Sequence, residues 1–382
     1  MFNLLCVCWR NFILNIFSVL KKFIKFSFIF SIVFFAFPLC VFSIDENQLN
    51  INAQNGAILI NATTGDVIYE KDADRIAPMA STTKIMTTLL ALEQDNIDEP
   101  FVVDSHAIKI EGSSMGLKEG DCVTIRDLCY GMMLPSGNDA ANVVATKIAG
   151  SIDGFVKMMN LRAQELGLKN TNFCTPSGLD TSEKNEHHST ARDMALLTQK
   201  AMENSNFCEI CSQSYKKLTF GNPPTNRVIR NHNRLLKEFD GACGVKTGFT
   251  KKAGRCLVAA AQREDLKLIS VVLKDPDDWN DSKALFEYGF SKYSLQELPS
   301  DFSDIKLNIA GEYDKTFGVK PEKSLKIHAT SEMINNVKMK IKTDPFYFLP
   351  VEQGDIVGEV EYFWNDKFIG KVSLCADIDD SQ

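Results

Sequence analysis

The chain reads as an α+β protein, an antiparallel sheet carrying a helical cluster, followed by a small all-β sandwich. Three observations point there. Short apolar runs paired across turn-forming residues occur on both sides of a long central segment. That central segment carries helix-like patterns. After about Leu298 apolar and polar residues alternate instead.

The elements follow in order. Gly56-Ala57-Ile58-Leu59-Ile60 and Asp66-Val67-Ile68-Tyr69-Glu70 flank Asn61–Gly65 and predict a hairpin. Helical patterns are expected from Ser81 to about Asn204, broken at Gly112–Gly120 and at Ser177–Glu186. Cys256–Ala261 and Leu268–Leu273, on either side of Gln262-Arg263-Glu264-Asp265, predict a second hairpin, and Lys283–Tyr288 a closing helix. Farther on, Lys306–Ile309, Leu325–His328, Val337–Ile341 and Val357–Tyr362 predict short strands. In the third of these, Val337, Met339 and Ile341 face one way and Lys338, Lys340 and Lys342 the other. The expected division is a leader over 1–43, a main domain over 44–297 and the sandwich over 298–382.

Phe26–Ser43 holds 18 residues without a charge behind Lys21, Lys22 and Lys25. This is the pattern of a secretory signal, with Val41-Phe42-Ser43 as the cleavage site. The same length borders on that of a membrane anchor. The chain has 42 basic and 49 acidic residues, and Arg10, Lys21, Lys22 and Lys25 of the leader meet no acid there. The body is therefore more acidic than the whole, which argues against nucleic acid as a partner. Of eleven cysteines, only Cys208-Glu209-Ile210-Cys211 forms a C-x-x-C, and it lacks a second pair at zinc-ribbon spacing. His187-His188 lies near no cysteine or clustered carboxylate in sequence. No metal or other cofactor is expected.

Three polar clusters carry the chemistry: Ser81-Thr82-Thr83-Lys84, Ser136-Gly137-Asn138 and Lys246-Thr247-Gly248. Each has an ordinary reading when taken singly. Ser81 follows Pro78 and precedes an apolar run, the position of a helix N-cap. Ser136-Gly137-Asn138 is turn chemistry, and Lys246 suits an exposed lysine beside a β-turn. S-x-x-K also occurs at Ser18…Lys21 and Ser214…Lys217, without such context. Together and in this order, the three clusters make the set of an active-site serine acyl transferase. Ser81 is the nucleophile. Lys84, three residues on along a helix, shares its face and can take the hydroxyl proton. It must be neutral to do so, and burial together with a second cation, Lys246, is expected to lower its pKa.

With Asn170-Thr171-Asn172-Phe173, Ser177-Gly178-Leu179-Asp180, Ser189-Thr190-Ala191-Arg192-Asp193, Asn231-His232-Asn233-Arg234 and Tyr288-Gly289-Phe290, these motifs resemble the low-molecular-weight penicillin-binding proteins. These are serine-type D-alanyl-D-alanine carboxypeptidases, here of the secreted or sporulation-associated bacterial kind. The resemblance implies a serine β-lactamase/DD-peptidase-like fold and an extracytoplasmic location. It implies removal of the terminal D-alanine from peptidoglycan stem peptides through an acyl-enzyme on Ser81, with β-lactams as covalent inhibitors.

The resemblance also assigns roles at the site. Ser136 relays a proton to the leaving amine and Asn138 holds the substrate amide. Lys246 and Thr247 bind the terminal carboxylate, and Gly248 lets the substrate backbone approach. The backbone N–H groups of Ser81 and Phe249 form the oxyanion hole. Relatives that use a downstream arginine on the carboxylate differ from this chain, which has none between Lys274 and Tyr288. Thr250 is therefore expected to help. The acidic C-terminus, without an apolar stripe, leaves membrane contact to the N-terminal segment. Two other readings are a β-lactamase and a non-enzymatic binding module. The Gly137 of the central motif and the lack of a Glu-x-x-Leu-Asn segment argue against the first, and the intact motif side chains against the second.

Overall fold

Ala57–Asn61 and Val67–Lys71 form β1 and β2, the expected first hairpin, with a register shift at Leu59/Ile60. The computed structural model to which they belong describes residues 49–180, 187–312 and 315–378. The leader, and with it the signal or anchor expectation, lies outside the described residues. Among those residues no helix is long and apolar enough to cross a membrane.

A 3-10 turn at Ala80–Thr83 runs into α1 (Lys84–Leu92), all nine residues of which are buried. A helix covered on every side explains a run without a polar face. Around it pack α2 (Ser105–Ile108), α3 (Ile125–Met133), α4 (Asn138–Ala149), α5 (Ile152–Glu165), α6 (Ala191–Ala201) and α7 (Ser205–Ser212). Two short strands, β3 (Phe101–Val102) and β4 (Cys122–Val123), bracket the expected break. A hairpin of β5 (Tyr215–Gly221) and β6 (Pro224–Arg230), then α8 (Leu235–Glu238), lead into β7 (Ala242–Thr250). The second expected hairpin is β8 (Gly254–Arg263) with β9 (Leu266–Leu273), and the closing helix α9 spans Asp278–Ser291.

The main antiparallel sheet has the order β2-β1-β9-β8-β7. It divides two cores. Ile58, Ile60, Val258 and Ala260 join the helical side, while Ala57, Leu59, Leu257 and Ala259 join the face that carries Leu285 and Phe286 of α9. With both faces covered, alternate residues are apolar in turn, and the strands read as unbroken apolar runs. The K-T-G segment lies on β7, at the edge of this sheet.

In the C-terminal β-rich region, β10 (Ser294–Glu297) pairs with β13 (Lys326–Ala329). A five-stranded antiparallel sheet combines β11 (Lys306–Asn308), β12 (Thr316–Pro321), β16 (Lys367–Asp377), β15 (Ile356–Trp364) and β14 (Lys338–Thr343). In this region β11, β13, β14 and β15 lie where alternation placed them. β10, β12, β16 and the short helix α10 (Ser331–Asn335) were not expected. Ala329, Met333 and Trp364 share a core with Phe286 and Tyr288, and Trp364 Nε1 donates to Asp66 Oδ2 at 2.5 Å.

Candidate active site

Ser81 is not an N-cap. Met79 holds the cap position, without a side-chain capping bond, and Ser81 lies inside the 3-10 turn. Such a turn eclipses residues three apart, so Lys84 Nζ stands 2.9 Å from Ser81 Oγ. Lys84 is completely buried and donates to Asn138 Oδ1 at 2.8 Å and to the Ser177 carbonyl at 2.6 Å. A neutral amine has two N–H bonds and one lone pair. With both N–H bonds on the two carbonyl acceptors, a neutral Lys84 would have its lone pair left for the serine hydroxyl. Burial first, and the Lys246 charge second, hold the Lys84 pKa well below the lysine range, while Asp139 opposes them.

Lys246 is 1% exposed and donates to the carbonyl of Thr247 at 2.8 Å. Burial lowers its pKa to about 7. Ser136 begins the turn into α4 in a left-handed conformation, φ +64°, and is buried at 5% exposure. Behind it, Asn138 accepts from Lys84 and donates through Nδ2 to the Glu111 carbonyl at 2.8 Å. Both ends of the carboxamide expected to hold substrate thus already hold the protein, and Lys84 in particular.

A cavity of about 470 Å³ joins these motifs. Ser81, Ser136, Thr247, Gly248 and Phe249 line it, together with Ser113, His232, Arg255, Asp278 and Trp279, which motif reasoning missed. Two of the residues expected to bind substrate also make contacts within the protein. Thr250 Oγ1 donates to Asp180 at 2.9 Å and accepts from Ala253 N, so it closes the β7–β8 turn and does not line the cavity. Gly248 lines the cavity and also packs tightly on the turn that carries Ser81: a Cβ there would lie 3.1 Å from Met79 O and 3.2 Å from Ser81 N.

The missed residues have physical roles. Arg255 lies opposite Phe249 in the β7–β8 register. Its Nε and Nη2 donate to Asp278 Oδ1 at 3.1 and 2.6 Å, and its guanidinium lies 5.8 Å from the Trp279 ring centre. Burial raises the Asp278 pKa and Arg255 opposes that rise. Arg255, on β8, thus brings a cation to the cavity wall. Counting across the β-turn from K-T-G would have found it. Asp139 accepts N–H bonds from Met115, Gly116 and Leu117 at 3.0–3.1 Å, fastening the loop that carries Ser113 to the start of α4. Burial lowers the His232 pKa, with the Lys246 charge adding to it.

The family model described as D-alanyl-D-alanine carboxypeptidase matches residues 43–277. The chain is 33% identical to D-alanyl-D-alanine carboxypeptidase DacF of Bacillus subtilis over 313 residues, 79% of each chain. It is 35% identical to DacC of Escherichia coli over 336 residues, covering 82% of this chain and 80% of the relative. The crystal structure of the Streptomyces K15 DD-transpeptidase superposes with a TM-score of 0.60 at 33% identity, covering 63% of this chain and 98% of that one.

Proposed function

The chain belongs to the D-alanyl-D-alanine carboxypeptidase family of serine peptidases, and from that premise we propose how its residues remove the terminal D-alanine from stem peptides. Ser81 Oγ bonds to the carbonyl carbon of the last peptide bond while its proton passes to Lys84 Nζ. The carbonyl oxygen gains negative charge and accepts from the N–H groups of Ser81 and Phe249. Collapse breaks the C–N bond, and D-alanine leaves as an amine that receives the proton through Ser136. The acyl group now esterifies Ser81. Water adds to this ester, gives its proton to Lys84, and the departing Ser81 oxygen takes that proton back.

The substrate carboxylate is drawn by Thr247 and Arg255, with the Lys246 charge beneath them. A β-lactam presents a strained amide beside a carboxylate and labels the same serine. Acting on peptidoglycan puts the enzyme on the outer side of the cytoplasmic membrane, with the N-terminal segment as its route there or its anchor. In this reading residues 44–297 catalyse and 298–382 form an accessory part.

One observation carries the mechanism: a buried lysine 2.9 Å from the nucleophile, its other two contacts both acceptors. The test is incubation with a tripeptide ending in D-Ala-D-Ala. Free D-alanine is expected from the wild type and none from Ser81→Ala. A folded wild type that releases no D-alanine overturns the reading.

A further inference from the structure

The N–H of Ser81 belongs to the same planar peptide as the carbonyl of Ala80, and in a trans peptide the two point in opposite directions. Whatever holds the Ala80 oxygen therefore aims the Ser81 N–H. Two groups close on that oxygen, and a third backs one of them. Thr83 Oγ1 donates to it at 2.8 Å. His187 Nε2 lies 2.8 Å from Thr83 Oγ1. Gly178 packs so near that a Cβ there would stand 2.0 Å from the oxygen.

The histidine tautomer follows from its other nitrogen. His187 Nδ1 accepts the backbone N–H of Cys174 at 2.9 Å, so the ring proton is on Nε2 and is donated to Thr83. Ala80, Thr83 and His187 are all buried, and the imidazole sits edge-on to Phe173 with ring centres 6.1 Å apart. Ala80 has φ +50°, a left-handed conformation that an alanine adopts only when its surroundings impose it.

We propose that His187 and Thr83 form a positioning relay that fixes the Ala80–Ser81 peptide so that the Ser81 N–H points into the oxyanion hole. The inference rests on the assignment of Ser81 as nucleophile and oxyanion donor. Neither relay residue touches substrate, and both act through the peptide plane. Burial, with smaller contributions from the His188, Lys252 and Lys84 charges, lowers the His187 pKa to about 4. The ring therefore stays neutral, in one tautomer, at neutral pH.

The test uses the full chain and three variants. Thr83→Val removes the hydroxyl at constant shape, Thr83→Ser keeps it, and His187→Gln replaces the ring with an amide that can both accept and donate. Outright loss of an oxyanion donor costs about 10²–10³-fold in rate. For a misaimed donor, Thr83→Val is expected to lower kcat/KM by about 10- to 100-fold. Affinity for a peptide boronic acid, whose tetrahedral adduct places an oxygen in the hole, should fall by the same factor. KM and the acid limb of the pH profile should stay put, because Lys84 is untouched. Thr83→Ser should behave as wild type and His187→Gln should keep most of the activity. Rates are referred to the fraction of enzyme titrated by penicillin, so misfolded protein does not count.

A Thr83→Val enzyme within twofold of wild type overturns the relay. So does a fall in kcat/KM with boronate affinity unchanged. If Thr83→Val does not fold, His187→Leu, which offers Thr83 no donor, decides: equal falls in kcat/KM and boronate affinity uphold the relay, and an unchanged boronate affinity overturns it. D-Alanine release by Ser81→Ala would instead remove the assignment on which the relay depends.

Discussion

Lys84 Nζ stands 2.9 Å from Ser81 Oγ at the point where a 3-10 turn becomes an α-helix. The turn supplies the direction, and burial pushes the Lys84 pKa down. Lys84→Met is expected to slow acylation by penicillin by about 10²–10⁴-fold, the usual worth of a placed base. In the wild type, kcat/KM should rise with pH through the lowered Lys84 pKa and fall away below it. Stopped-flow acylation across pH checks both points. An acid limb in the ordinary lysine range would contradict the assignment.

Lys246 acts on Lys84 from a distance, through charge. Removing it with Lys246→Met should raise the Lys84 pKa, so the acid limb moves to higher pH. The same substitution should stabilise the fold, since it removes a buried group whose charged form burial penalises. A lysine whose folded pKa is depressed to about 7 costs most stability at and below that pH. The gain of the variant should therefore shrink as pH climbs from about 7 towards the ordinary lysine value. Thermal midpoints of both proteins across pH test this.

Arg255 is held to Asp278 with part of its fork still facing the cavity. Arg255→Ala should raise KM for a D-Ala-D-Ala substrate by about 10- to 100-fold, the worth of a charge-assisted contact. A C-terminally amidated analogue should be indifferent to the change. Arg255→Lys should fall between, since an ammonium cannot reproduce the planar fork. Equal losses with both substrates would remove Arg255 from carboxylate recognition.

Trp364 ties the C-terminal part to the first hairpin through Asp66. Trp364→Phe keeps the ring in the shared core and deletes the bond. It should cost about 1–2 kcal/mol in denaturant unfolding and leave penicillin acylation within twofold of wild type.

Much of this site was legible because it is local. The three-residue interval between Ser81 and Lys84 is a statement about helical geometry, and any chain with that interval on a turn brings the two groups together. The runs Ala57–Ile60 and Cys256–Ala261 named buried strands for a similar reason. β6 was hidden because it is largely exposed, and β5 because its only alternation is the short Leu218-Thr219-Phe220. β10, β12 and β16 were missed as well.

What the sequence by itself determined was the chemistry of the groups: a hydroxyl, two amines, a carboxamide and a cation-bearing strand. Tertiary structure decided their states. It sank Lys84 and Lys246 into a medium that disfavours charge, and it brought Arg255 and Asp278 to the cavity wall. It spent the Thr250 hydroxyl on a turn and set His187 behind Thr83. Backbone geometry between near neighbours is set by bond lengths and dihedral angles. Burial and electrostatic company depend on which distant segments the closed chain brings together, and no interval in the sequence carries that information.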